Sequence, residues 1–137
     1  MNEVEIANAL DRIPYAKTLG VVPLLIGDDF TLKLPYIETN IGNPMLPALH
    51  GGAIGGFMEI SAIAQIIIQE PKKKFPKPIG VNINYLQRGK PVDTFARAFI
   101  TRRGSRITNV RVLAWQASFD DPIATLQGHF LTAATDD

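Results

Sequence analysis

The stretch LHGGAIGGFMEISAIAQIII, Leu49 to Ile68, decides the fold of this 137-residue chain. Its apolar core, Ala53 to Ile68, would rise about 24 Å as a helix, short of the roughly 30 Å hydrocarbon core of a bilayer, and Glu59 interrupts it. Turned at roughly 100° per residue, its 11 Ala, Ile, Phe and Met side chains fall all the way round the circumference. A helix apolar on every side is expected to be enclosed by the rest of the protein. Ser61 and Gln65 lie near one another, whereas Glu59 stands apart, flanked by Ile63 and Ile66. Glu59 is therefore the one ionisable group on a face expected to be dry, where a lone carboxylate is costly.

One and two turns back on that face lie Gly55, Gly56 and Gly52. The spacing makes a strip bare of side chains leading to Glu59, wide enough for a partner backbone or a thin ligand. Each glycine weakens a helix by roughly 0.5 to 1 kcal/mol relative to alanine, so four in the first two turns need a reason. A buried glutamate can be structural, satisfied by an arginine or by amides, and His50 beside a helix start can simply cap or pack. Taken together the features describe a site: free amides at a helix N-terminus bind a developing oxyanion, and a desolvated carboxylate acts as base or nucleophile. Nine residues from His50 to Glu59 span about 13 Å of helix, too far for both to act on one carbonyl. If both are catalytic they come from different subunits, which predicts a symmetric dimer with two shared sites.

Outward from the helix the pattern is mostly extended. Before it, a short amphipathic helix carrying Val4, Ile6, Ala7 and Leu10 is expected to stop before Pro14, and Leu19 to Ile26 and Phe30 to Ile37 read as strands about Gly27-Asp28-Asp29. Glu38 to Leu49 has too many breakers for regular structure. After Pro71 and Pro78, Ile79 to Leu86, Val92 to Thr101, Ile107 to Phe119 and Ile123 to Ala133 are rich in β-branched and aromatic residues. Their connections at Arg88-Gly89-Lys90, Arg103-Gly104-Ser105 and Asp120-Asp121-Pro122 are short, so consecutive strands are expected to pair antiparallel. The reading is an α+β fold, a curved antiparallel sheet of five to six strands around one long buried helix.

The chain has no cysteine, which excludes disulfides, thiolate metal sites and a cysteine nucleophile. With two histidines, His50 and His129, a His-rich metal site is not expected. The opening residues are acidic and lack a long apolar run, so no secretory signal is expected and the cytoplasm is the expected location. A net charge of +1 conceals a strong asymmetry: residues 71 to 111 hold eleven basic groups against Asp93 alone, a net +10, while the remainder carries three against twelve, a net −9. Such a basic segment argues for an anionic partner or ligand. No aromatic side chains interleave it in the manner of a stacking platform, so nucleic acid is not the expected partner.

The run Leu49 to Glu59, followed by Val81-Asn82-Ile83-Asn84-Tyr85-Leu86 and by Ile100-Thr101-Arg102-Arg103-Gly104-Ser105-Arg106, resembles the hotdog-fold acyl-CoA thioesterases of the phenylacetate-pathway (PaaI-like) type over nearly the whole chain. The resemblance implies a single hotdog domain over residues 1–137, a homodimer that often pairs into a tetramer, and hydrolysis of an acyl-CoA thioester with no cofactor beyond the CoA of the substrate. The Gly51 amide would polarise the thioester carbonyl, with His50 shaping the turn, and Glu59 of the other subunit would activate water or attack the carbonyl. Asn43, Gly52, Asn82 and Tyr85 would contact substrate. The turn of Arg102, Arg103, Gly104, Ser105 and Arg106 would hold the CoA phosphates, with Lys72 to Lys74 and Lys77 as a second candidate. Phe57, Met58, Tyr85 and Leu46 would wall the acyl group. Many relatives carry Ser or Thr seven residues before that Tyr, where this chain has Pro78; Asn82 or Ser61 could hold the water instead, or Glu59 could attack directly. A hotdog hydratase or dehydratase using His50 and Glu59, and a non-catalytic acyl-CoA binding module, are the rival readings.

Overall fold

The computed structural model describes residues 2–26, 29–36 and 51–133. Helices α1 (Glu3–Asp11) and α2 (Pro14–Leu19) precede strands β1 (Val22–Ile26) and β2 (Asp29–Leu34). The long helix α3 (Gly51–Gln69) follows, and then β3 (Lys77–Tyr85), β4 (Thr94–Arg103), β5 (Ile107–Trp115) and β6 (Ala124–Leu131). The strands form one antiparallel sheet in the order β1-β2-β4-β5-β6-β3. The α+β reading therefore holds, with six strands around the predicted helix.

Three local expectations change. Pro14 does not merely end the first helix: its fixed φ suits the first position of α2, and Gly20, at φ 73°, closes that helix in the left-handed region. Leu19 thus belongs to a helix, and the strand begins at Val22. Strands β3 and β4, although consecutive, do not pair, because β3 lies beside β6 and β4 beside β2. The segment between them crosses the end of the sheet on the side chain of Gln116, which accepts from the Lys90 amide at 3.0 Å and donates to the Lys90 carbonyl and the Thr94 hydroxyl, each at 3.0 Å. The third change is the end of β5 at Trp115, with Phe119 returning from the following loop to meet that indole edge-on at 5.0 Å.

The core forms between α3 and the inner face of the sheet. Leu32, Leu34, Val110, Val112, Leu126 and Phe130 face Ile54, Phe57, Met58, Ile60 and Ile66, all nearly fully buried. Ala96, Ala98, Ala114 and Ala124 keep the sheet surface low so that the helix lies close. Burying each large apolar side chain stabilises the fold by about 1.5 to 3 kcal/mol before the entropy of ordering is counted. By length and composition α3 could cross a membrane, but its apolar surface is instead packed on the sheet and on α1. The enclosure is incomplete, because Gly51 and Gly52 are exposed and Gly56 and Glu59 are half-buried. Phe57 and Met58, expected as acyl-pocket walls, are fully buried in the core and cannot serve there.

Candidate active site

Helix α3 carries three separate features along its length. At its start the first four amides have no intrahelical acceptor. Gly51 opens onto a cleft of about 480 Å³ shared with Ile54, Tyr85, Leu86 and Arg88. The Tyr85 hydroxyl donates to the Gly51 carbonyl at 2.7 Å, so β3 fixes the direction of the first turn. Gly51 and Tyr85, predicted as site residues, are thereby brought together, with Gly52 in the same turn. His50, Asn43 and Leu46 lie outside the described residues.

Two turns further on, Glu59 borders a cavity of about 200 Å³ whose other walls are Ile13, Tyr15, Gly56, Ile60 and Ile63. Among the described residues it has no hydrogen bond or ion pair, so its carboxylate remains available for chemistry in a largely apolar setting. The glycine strip leading to it is not bare. Tyr15 of α2 lies on Gly56, where a Cβ would stand 2.6 Å from ring atom Cε2. On the other flank, a Cβ at Gly55 would stand 3.0 Å from both Ile83 Cδ1 and the Tyr85 hydroxyl. The glycines thus seat two tyrosines, one on either side of the line that ends at Glu59. Tyr15 is the residue that sequence reasoning missed, since a single tyrosine in a short helix carries no motif.

Neither side chain named to hold the attacking water faces Glu59. Ser61 is buried and donates to the Phe57 carbonyl at 3.0 Å, one turn back in its own helix. Asn82 pairs with Gln127 in the β3–β6 register, and its neighbours Ile83 and Tyr85 are the residues that touch α3. Strand alternation therefore sends Asn82 to the outer face of the sheet, away from the helix.

The basic turn lies at the opposite end of α3. Arg103 donates to the Gln69 side chain at 3.1 Å, and Lys73 holds the Gly104 carbonyl while pairing with Glu70 at 3.0 Å. Glu70 also accepts from Thr108 at 2.7 Å, and Thr108 meets the Thr132 hydroxyl at 2.9 Å. Arg103 and Lys73 are thus engaged in holding the turn to the helix. Arg102, Gly104, Ser105 and Arg106 instead line an open pocket of about 500 Å³ together with Asn109 and His129. The turn and Gly51 stand at the two ends of a 19-residue helix, about 27 Å apart. One chain therefore does not bring its helix N-terminus, its carboxylate and its arginines to a single point.

No protein-family model matches the sequence, and no curated protein is similar to it at a significant level. Solved structures are similar over almost the whole chain. A protein from Chromobacterium violaceum is 31% identical, with 96% of this chain and 91% of that chain covered and a TM-score of 0.75. A phenylacetic acid degradation-related protein from Ralstonia eutropha JMP134, named as a candidate thioesterase, is 18% identical over 87% of this chain and 89% of its own, with a TM-score of 0.75. A Bacillus halodurans protein solved with CoA is 19% identical over 97% and 91% of the two chains, with a TM-score of 0.76.

Proposed function

We propose that this chain, which belongs to one family with the Chromobacterium violaceum protein and shares its fold with proteins named for the thioesterase superfamily, is a hotdog-fold thioesterase that hydrolyses an acyl-CoA thioester to the free acid and CoA. The observation that carries this reading is Glu59, a carboxylate with no bonded partner among the described residues, set in an apolar cavity on the same helix whose first residue, Gly51, lines a cleft. The CoA in the Bacillus halodurans structure supports the ligand class.

In this reading the thioester carbonyl oxygen accepts a hydrogen bond from the Gly51 amide, which holds the negative charge that develops there. Glu59 takes a proton from water as the water oxygen bonds to the carbonyl carbon. The tetrahedral intermediate then expels the CoA sulfur, the C–S bond breaks, and the thiolate leaves. The set of a carboxylate, a backbone amide and water needs no resident cofactor. Gly51 and Glu59 of one helix are about 12 Å apart along its axis, so the amide and the carboxylate that meet one carbonyl belong to two chains of a homodimer. Tyr15 borders the Glu59 cavity, and in this reading it is the candidate for the water-holding role for which Pro78 offers no side-chain donor or acceptor. With Ser61 and Asn82 turned away, acyl-CoA binding without turnover is the second reading.

The test is release of free CoA, titrated with a thiol reagent against a protein that has no thiol of its own. Across aryl, short-chain and medium-chain CoA esters, one class should be hydrolysed, and Glu59→Gln should slow it about 100-fold or more. Equal rates for wild type and Glu59→Gln would remove Glu59 from the reaction. Tight binding of the esters with no CoA released would leave the binding module.

A further inference from the structure

The cavity beside Glu59 has one wall that can give. Ile13, Ile60 and Ile63 are buried members of the core cluster, and the packing behind them fixes their positions. Gly56 adds no side chain to the lining, and Glu59 is the reactive group. That leaves Tyr15, whose ring is 47% exposed. The backbone under this ring is anchored: Pro14 starts α2, Gly20 closes it at φ 73°, and Ala16 and Leu19 are buried. The ring itself rests on the bare backbone of Gly56, where a Cβ would stand 2.6 Å from Cε2. A single side chain therefore sets the reach of the cavity.

A thioester that meets Glu59 extends in two directions, a CoA arm that carries phosphates and an acyl arm that carries carbon. Apart from Glu59, the side chains lining the cavity among the described residues are three isoleucines and one aromatic ring, with no cation. An apolar tail gains free energy by entering such a space, and a charged arm loses it. The side chains expected from the sequence as acyl walls do not compete for this part. Phe57 and Met58 are in the core, and Tyr85 lines the cleft at Gly51. A cavity of about 150 Å³ accepts a benzene ring, so one of about 200 Å³ accepts a tail of about six to eight carbons.

We infer that Tyr15 sets the size of the acyl group: the acyl tail occupies the cavity floored by Ile13, Ile60 and Ile63, and the Tyr15 ring ends it. The identity of the ligand rests on the thioesterase reading; the role given to the ring is additional to it. Each methylene that enters contributes about 0.8 kcal/mol, or about fourfold in kcat/KM. Once the tail reaches the ring, a further methylene has to lift Tyr15 off Gly56 or stay in water, and the gain stops. Ring and hydroxyl are separable here, because closing the cavity needs the ring and holding a water needs the oxygen.

The experiment measures kcat/KM by CoA release over straight-chain esters from butanoyl-CoA to hexadecanoyl-CoA, in the wild type and in Tyr15→Ala, Tyr15→Leu and Tyr15→Phe. Affinities for the same esters are measured by calorimetry in Glu59→Gln, with and without Tyr15→Ala. The wild-type profile should climb with length and break at about six to eight carbons. In Tyr15→Ala the break should move to longer tails, with dodecanoyl-CoA gaining at least about tenfold while butanoyl-CoA loses, and Tyr15→Leu should fall between. Tyr15→Phe should keep the wild-type break even where its rate is lower, which separates the ring from the hydroxyl. If the esters are hydrolysed and the break is absent, or stays in place in both Tyr15→Ala and Tyr15→Leu, the size-setting role falls and the thioesterase reading stands. If no ester is hydrolysed but the affinities break at a length that Tyr15→Ala extends, the acyl pocket stands and the thioesterase reading falls. Affinities independent of tail length in a protein that releases no CoA overturn both.

Discussion

Tyr15 rests on Gly56 so closely that a single added methyl would lie 2.6 Å from its ring carbon Cε2. In Gly56→Ala the helix gains about 0.5 to 1 kcal/mol of propensity, while the half-exposed ring swings off and loses packing of similar size. Thermal stability should therefore move by less than about 1 kcal/mol, and CoA-ester hydrolysis should fall because the Glu59 cavity loses a wall. Since both changes act through one ring, adding Tyr15→Ala to Gly56→Ala should lower the rate no further, a non-additivity read directly in a double-mutant cycle. Additive losses would separate Gly56 from Tyr15.

Glu70 fastens the far end of the same helix. Its side chain is 8% exposed, it pairs with Lys73 at 3.0 Å, and it accepts from Thr108 at 2.7 Å. Removing it in Glu70→Ala leaves Thr108 with Thr132, so the loss is that of the connection between helix and turn, about 1 to 3 kcal/mol. Urea unfolding checks this, and an unchanged midpoint would mean that the network adds nothing to stability.

How far this architecture was readable depends on the range of the interaction that sets it. The helix and the strands follow from period and composition, which are local, and Ala53 to Ile68 leaves no other reading. The partner order of β3 and β4 was not readable, because the crossing is held by Gln116, whose bonds to residues 90 and 94 exist only after folding. Glu59 stood out as one charge in an apolar run. Tyr15 did not, because its role depends on a glycine in another helix. In the turn, Arg102 and Arg103 are indistinguishable as sequence, and only the register shift between Ile100 and Arg102 sends one outward and the other to Gln69. The outward placement of His129 was legible in the alternation of Ala124 to Leu131; its contact with Asn109, set by register, was not.

Two glycines on the sheet should respond differently to the same change. A Cβ at Gly128 would stand 2.8 Å from Cε1 of Phe130, which is fully buried and cannot move aside, so Gly128→Ala overpacks the core and should cost about 1 to 3 kcal/mol. At Gly80 the nearest atom is 3.5 Å away, an ordinary contact, so Gly80→Ala should unfold within about 0.5 kcal/mol of wild type. Thermal or urea unfolding of the two variants side by side decides it, and equal losses would contradict the packing difference.

Strand β3 ends the sheet with its second edge unpaired among the described residues, and it exposes 54% of Ile79, with Leu86 just beyond it 56% exposed. A long apolar edge of this kind invites another chain, and pairing with its own copy would set two α3 helices side by side. The proposed sharing of each site between chains then has a direct test in mixed dimers. Glu59→Gln removes the carboxylate, and Gly51→Pro removes the amide at the first helical position, where proline is tolerated. Each variant alone should be inactive. After the two are unfolded and refolded together, half of the dimers should contain one chain of each kind, and in those one of the two sites pairs an intact Gly51 with an intact Glu59. Activity should return to about a quarter of the wild-type level. If amide and carboxylate acted within one chain, no mixture could restore either, and a refolded mixture as inactive as its components would defeat the two-chain site.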